Sequence, residues 1–291
     1  MDLIYRYDPY QPAAVIAPTC TADAVEELRR GNERFVTYVQ RMQQATLGND
    51  SGQPIIVPVS PLSLGLPLWS GGSVAQKPYG LVLGCSDARV PIEQIFDQAF
   101  NSLFVVRIAG NVLGTECVGS IDYAVRQFGN SLRFVLVLGH TSCGAVSAAV
   151  DTYLSPNAYA DIACTYALRS LVDRLLIAVR GAANAIKQQA GGSTAKHPNY
   201  RTALIETAVY LNAAIAAYDL RREMRALENS EMEVLFGVYN LESQQVCGCP
   251  PCAHQSGSTL PLALSAPRQA DDFVELANSI AGGVLAKGLL D

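Results

Sequence analysis

The sequence predicts an α/β fold in which a central, mainly parallel sheet is flanked by helices. Three short apolar runs, at about 81–84, 103–108 and 133–138, have the length of buried strands. Two amphipathic segments, at about 90–98 and 119–128, separate these runs and are predicted to be helices. This β-α-β-α-β alternation implies right-handed crossovers, so we expect parallel strands with helices on both faces of the sheet.

A helix is predicted before the sheet. Residues 24–42 carry apolar side chains at approximately helical spacing, and residues 21–23 can cap the first turn. The stretch 48–72 differs because four prolines interrupt it, and proline at that density does not fit a helix interior or a central strand. We predict an ordered apolar loop there, draped over the sheet or buried at a subunit contact, with a membrane-dipping segment as the alternative.

The second half of the chain is predicted to be mainly helical. A short helix is expected near 145–150, followed by long amphipathic helices at about 168–190 and 201–227. A last strand is expected at 234–239, and apolar residues at helical spacing follow it in the C-terminal tail at 271–285. We divide the chain into an N-terminal arm (1–22), a main domain (23–246) and a C-terminal tail with a helix (247–291).

Composition limits the classes of function. The chain has 291 residues, of which 49% are hydrophobic and 16% charged, so it can bury a substantial core. Its net charge of −5 and the absence of clustered Lys and Arg argue against a nucleic-acid partner. The first residues show no basic region followed by an apolar stretch, and no uninterrupted apolar run has the length of a membrane span. Eight cysteines are too sparse for a disulfide scaffold. We therefore expect a cytoplasmic protein with a small-molecule substrate and no membrane partner.

Metal-binding side chains follow two of the predicted strands. Cys85 ends the first run and is followed by Asp87 and Arg89, whereas His140 and Cys143 follow the third run. Ligands gather at the carboxyl edge of a parallel sheet, so we expect these side chains to meet there. Cys85, His140 and Cys143 are the kinds of ligand that Zn²⁺ prefers, and three of them would leave a fourth position open.

These two segments resemble the β-class carbonic anhydrases. The resemblance is carried by Cys-Ser-Asp-Ala-Arg-Val-Pro at 85–91 and Gly-His-Thr-Ser-Cys-Gly at 139–144, and it extends over roughly 22–245. It implies the β-carbonic-anhydrase fold and assembly as a homodimer or a multiple of dimers. The implied site residues are three zinc ligands and a catalytic dyad: Cys85, His140 and Cys143 as ligands, and Asp87 and Arg89 as the dyad.

The resemblance also implies a reaction. A carbonic anhydrase, which is a zinc lyase, hydrates CO2 reversibly to bicarbonate and a proton, here through a metal-bound hydroxide assisted by the Asp-Arg dyad. Spacing alone indicates only a zinc hydrolase or hydratase. Two alternatives remain: hydrolysis of carbonyl sulfide or carbon disulfide with the same ligands, or a non-catalytic zinc-fold scaffold that recruits a protein partner through its C-terminal tail.

The tail contains a second group of metal-binding residues within eight positions: Cys247, Cys249, Cys252 and His254. The group has three interpretations, namely a second structural zinc site, a redox-sensitive disulfide or a solvated loop. Four ligands from one tight loop are sterically awkward, which favours the solvated loop. We therefore expect one zinc ion per chain.

Overall fold

The structure is a computed structural model that describes residues 2–8, 10, 18–48, 53–59, 74–226, 232–250 and 260–290. The strands in these ranges are β1 (Leu3–Arg6), β2 (Ile55–Pro58), β3 (Gly80–Gly84), β4 (Leu103–Arg107), β5 (Phe134–His140), β6 (Glu233–Tyr239), β7 (Val246–Cys247) and β8 (Leu264–Ser265). The helices are α1 (Thr21–Thr46), α2 (Ile92–Ile95), α3 (Thr115–Phe128), α4 (Gly144–Leu154), α5 (Tyr159–Ile162), α6 (Tyr166–Ala190), α7 (Tyr200–Ala226) and α8 (Ala270–Leu285).

The main sheet confirms the predicted parallel architecture. Its strand order is β4-β3-β5-β6-β7, and β8 also pairs with β6. The pairs β3–β4, β3–β5 and β5–β6 are parallel, whereas β7 and β8 run antiparallel to β6. Every residue of β3 and β5 is buried, as expected for central strands covered on both faces.

Side chains that alternate in direction along the strands form two apolar cores, one on each face of the sheet. Leu81 and Val135 point to one face, where α3, α4, α6, α7 and α8 pack. Val82 and Leu136 point to the other face, which α1 and α2 cover. Because successive side chains of a strand point to opposite faces, one apolar run supplies both cores. The prediction of helices on both faces is confirmed.

Several helix bounds differ from the predicted ones. The helix expected at 90–98 is shortened to α2 because Pro91 caps its start and Asp97 adopts a left-handed φ of 45° just after its end. The helix expected from 119 begins at Thr115, and the one expected at 145–150 runs from Gly144 to Leu154. These differences move element ends but leave the order of elements unchanged.

The Pro-rich stretch contains a strand that was not predicted. Residues 55–58 form β2, which pairs in parallel with β1 in a separate two-stranded sheet, with Leu3 opposite Ile55. The prediction of a loop was therefore wrong for these four residues. Pro58 is tolerated because it closes the strand, where the missing N–H costs least. Residues 49–52 and 60–72 of the same stretch lie outside the described residues.

The two C-terminal helices belong to the core. By length and composition α7 could cross a membrane, but 78% of its most apolar window is buried inside the protein, as in a core helix. The helix predicted at 271–285 is confirmed as α8, where Ile280, Ala281 and Val284 are fully buried in the core shared with α6 and α7. The domain boundaries given above stay predictions.

Candidate metal centre

Three metal-binding side chains converge at the carboxyl edge of the sheet. Cys85 follows β3 directly, His140 is the last residue of β5, and Cys143 is the N-cap of α4. Because β3 and β5 are parallel neighbours, their carboxyl ends lie side by side. The ligand atoms of the three residues all lie within 4.8 Å of one another, and all three residues are buried. The three side chains predicted as ligands therefore lie together at this edge of the sheet.

The donor atoms fit a zinc ion. His140 Nδ1 lies 2.9 Å from the Thr141 carbonyl oxygen, which can only accept a hydrogen bond, so this contact places the imidazole hydrogen on Nδ1. The lone pair is thereby left on Nε2, which is buried and has no hydrogen-bond partner. An unpaired buried nitrogen is costly unless something binds it. One imidazole nitrogen facing two cysteine sulfurs is a donor set that Zn²⁺ accepts in tetrahedral geometry.

The two cysteine thiols shift each other's pKa in opposite directions. A hydrogen bond from Cys143 lowers the pKa of the Cys85 thiol to about 4, against the opposing effect of burial. The pKa of Cys143 is raised, first because its thiol donates that hydrogen to Cys85 and then because it is buried. The Gly110 N–H also donates to Cys85 Sγ, at 3.3 Å. A divalent cation between the sulfurs would take the place of the shared hydrogen.

The predicted Asp-Arg pair forms beside this cluster. The Arg89 guanidinium donates to both oxygens of the Asp87 carboxylate, from Nε at 2.9 Å and from Nη2 at 2.7 Å. The Arg89 backbone N–H also donates to Asp87 Oδ1, at 2.9 Å. These contacts hold the pKa of Asp87 well below its usual range. Asp87 Oδ2 lies 3.8 Å from His140 Nε2, so an ionised carboxylate faces the unpaired nitrogen. Arg89 Nη2 also lies 3.4 Å from the Ser142 carbonyl oxygen, which links the two motifs.

Arg107 is a site residue that the sequence analysis missed. Its Nε donates to the Cys85 carbonyl at 3.0 Å and its Nη2 donates to the Asp87 carbonyl at 2.5 Å. Arg107 ends β4 and lies opposite Gly84 of β3. The rule that located the other residues, namely polar side chains at the carboxyl ends of neighbouring strands, could have identified it.

The second predicted group is not assembled among the described residues. Cys247 and Cys249 lie in and just after β7, while Cys252 and His254 lie outside the described residues. Within the described ranges, the one group of three or more metal-binding side chains close enough to share an ion is Cys85, His140 and Cys143. The pKa of Cys247 is raised to about 11, mainly by burial.

Comparisons with known proteins agree with this geometry. The model of the carbonic anhydrase family matches residues 80–246, more than half of the chain. Carbonic anhydrase 2 of Mycobacterium tuberculosis is 39% identical over 127 residues, which cover 44% of this chain and 51% of that protein. A carbonic anhydrase of Mycolicibacterium smegmatis is 38% identical over 128 residues, covering 44% and 52%. The chain thus spans about half the length of these relatives.

Among solved structures, the Coccomyxa β-carbonic anhydrase bound to acetazolamide has a TM-score of 0.46 and 21% identity. The match covers 59% of this chain and 72% of the Coccomyxa chain. The matched residues 80–246 include both metal-binding motifs and the sheet that brings them together. The family match, the mycobacterial relatives and the assembled motifs lead to one conclusion: this chain belongs to the β-class carbonic anhydrase family.

Proposed function

We propose that this chain is a zinc-dependent carbonic anhydrase, which hydrates CO2 reversibly to bicarbonate and a proton. The observation that carries the proposal is the convergence of three buried ligand atoms within 4.8 Å beside an ionised carboxylate. The family to which the chain belongs supports CO2 as the substrate.

Cys85, His140 and Cys143 would hold the metal through Sγ, Nε2 and Sγ. Zn²⁺ there would supply Lewis acidity, which lowers the pKa of a water molecule so that it can attack the carbon of CO2. Two thiolates offset the formal charge of the ion, so this Lewis acidity is weaker than in a site of three neutral histidines. The chain must therefore assist with its own charged groups.

Asp87 and Arg89 supply that assistance in the proposed mechanism. The Asp87 carboxylate faces the same space as His140 Nε2 and can accept the hydrogen bond, or the proton, of the attacking water. Arg89 binds both carboxylate oxygens and so fixes the plane of the acceptor. The same pair keeps Asp87 ionised throughout the neutral pH range, because its pKa is strongly lowered.

Stopped-flow CO2 hydration combined with metal analysis tests the proposal. The key variant is Asp87→Ala, which we expect to retain zinc and to lose roughly 10²- to 10⁴-fold in rate, the usual contribution of a positioned acid or base. Asp151→Ala is the matched control because Arg201 binds Asp151 in the same bidentate manner, at 2.6 and 2.8 Å, in the second half of α4. This control should retain both zinc and rate.

The other outcomes separate the alternatives. Wild-type zinc protein that releases sulfide from carbonyl sulfide or carbon disulfide, but does not hydrate CO2, would indicate the sulfur-substrate hydrolase. Zinc protein without either activity would indicate a scaffold that acts through a partner of its tail. A full rate in Asp87→Ala would reject the dyad, and wild-type protein unable to bind zinc would reject the enzyme.

Assembly as a homodimer, or a multiple of dimers, is part of the same proposal. Support comes from β4, which is the edge strand of the main sheet among the described residues and keeps four apolar side chains half-exposed: Leu103, Phe104, Val105 and Val106. An exposed apolar edge is a site at which chains pair. Sedimentation of the intact protein tests this. A cytoplasmic location stays a prediction.

A further inference from the structure

A chain of hydrogen bonds runs from the core helix α7 to the metal-binding sulfur of Cys85. Asn212 Nδ2 donates to the Gly110 carbonyl oxygen at 2.8 Å, and the Gly110 N–H donates to Cys85 Sγ at 3.3 Å. Asn212 is 6% exposed and lies 102 residues away from Gly110 in sequence. Neither of these two hydrogen bonds joins Asn212 directly to a predicted ligand or to the Asp-Arg dyad.

The turn that carries Gly110 needs such an anchor. Gly110 has φ +65° and the next residue, Asn111, has φ +44°, so two consecutive residues adopt the left-handed region. Glycine and asparagine are the residues that adopt this region most readily, and glycine populates it about as easily as the right-handed region, so contacts from outside the turn select the conformation. A side chain at Gly110 would place its Cβ 3.1 Å from the Ala145 Cβ and 3.2 Å from Leu175 Cδ1, so any other residue would be strained both by the positive φ and by these tight contacts.

Glycine leaves the two peptide units that meet at its Cα free to rotate. The unit before Gly110 carries the N–H that faces Cys85 Sγ, and the unit after it carries the carbonyl that Asn212 holds. Fixing the second unit restricts rotation about the shared Cα, and so keeps the N–H of the first aimed at the sulfur. An N–H donor stabilises the thiolate form that a metal requires.

We propose that Asn212 is a positioning residue for the metal centre: by anchoring the Gly110 turn it keeps an N–H donor on Cys85 Sγ and strengthens zinc binding. This inference rests on the proposed function, since it requires zinc at Cys85, His140 and Cys143. Outer groups that orient metal ligands are usually worth about 10- to 100-fold in metal affinity. Because Asn212 acts through backbone rather than through a ligand side chain, we expect the lower end of that range.

The experiment compares zinc affinity, measured by competition with a chelator, in wild-type protein and three full-length variants. Asn212→Leu removes the donor, and Asn212→Asp keeps the side-chain shape while placing an acceptor against the carbonyl. Thr207→Val is the matched control, because Thr207 is a fully buried polar residue of the same helix whose hydroxyl bonds within the helix, to the Ala203 carbonyl. Cobalt substitution adds a second readout, since thiolate-to-cobalt absorption reports the metal–sulfur bonds directly.

Both Asn212 variants should bind zinc about 10-fold more weakly than wild type and show reduced thiolate-to-cobalt absorption. Thr207→Val should match wild type in both measurements. Wild-type affinity and spectra in the Asn212 variants would overturn the inference, as would an equal loss in Thr207→Val, which would indicate general loosening of α7. If Asn212→Leu does not fold, the isosteric Asn212→Asp decides. Absence of zinc binding in wild type would instead reject the proposed function.

Discussion

Gly31, in the middle of α1, tests how closely this helix packs against the end of α2. A methyl group at this position would lie 1.7 Å from the Phe96 carbonyl oxygen and 2.7 Å from its carbon, where α1 crosses the end of α2. Real Cβ atoms essentially never come closer than 3.0 Å, so Gly31→Ala must separate the two elements by at least about 1.3 Å. The obstacle is backbone, which cannot turn aside as a side chain could.

Two opposing free energies decide the result of Gly31→Ala. In a helix interior, alanine is more favourable than glycine by about 1 kcal/mol. Overpacking a tight contact, in contrast, costs about 1–3 kcal/mol. A rigid carbonyl places this contact at the upper end of the overpacking cost, so we expect a net loss of about 2 kcal/mol in the free energy of unfolding. For a chain of this size, that loss corresponds to a fall of roughly 5 °C in Tm.

The assay is thermal and urea unfolding at one protein concentration, with Gly119→Ala as the control. Gly119 is also inside a helix, α3, but a methyl group there would have no neighbour within 4 Å. Gly119→Ala should therefore raise the free energy of unfolding by up to about 1 kcal/mol. Gly31→Ala protein as stable as wild type, or equal losses in the two variants, would refute the packing argument.

Three further predictions concern the metal ligand Cys143, the loop at residues 85–89 and the C-terminal helix α8. Cys143→Ala should lose zinc and CO2 hydration together by metal analysis and stopped flow, whereas Cys117→Ala, at a buried cysteine outside the cluster, should keep both. Arg107→Met should lower kcat/KM roughly 10-fold or more, because the backbone carbonyls of Cys85 and Asp87 lose a charged donor beside the metal centre. An unchanged kcat/KM would show that the loop at residues 85–89 keeps its conformation without Arg107. Asp272→Ala should lower Tm at pH 7, since Asp272 completes the capping box of α8. The pKa of Asp272 is lowered, first by the backbone N–H of Arg268, so its stabilising effect is present above the unfolded value of about 3.9 and lost as pH falls through the folded pKa. A Tm difference that does not shrink as the pH is lowered below about 3.9 would contradict this.

Most of the site was predictable because its signals are local. Cys85, Asp87 and Arg89 lie within five positions, and His140 and Cys143 within four. Each group directly follows an apolar run that is too short for a helix and reads as a buried strand. Parallel strands bring their carboxyl ends to one edge, so the two groups could be expected to meet before any coordinates were known.

The residues that sequence reasoning missed act across long separations. Asn212 bonds to Gly110 from 102 positions away, and in the sequence it is one polar residue in an apolar helix. Likewise β1 pairs with β2 across the whole of α1, and neither four-residue segment shows an alternation strong enough to predict a strand. Their partners are set by how the helices and strands pack.

By itself, the sequence determined the order of the core strands and helices, the two metal-binding motifs and the family to which they point. All of these depend on periodicity and spacing within short segments of chain. Only the tertiary structure decided which distant groups support those motifs: the left-handed turn at Gly110 and its anchor Asn212. A hydrogen bond between distant residues leaves no periodic trace along the chain, because it depends on where packing places two backbones in space.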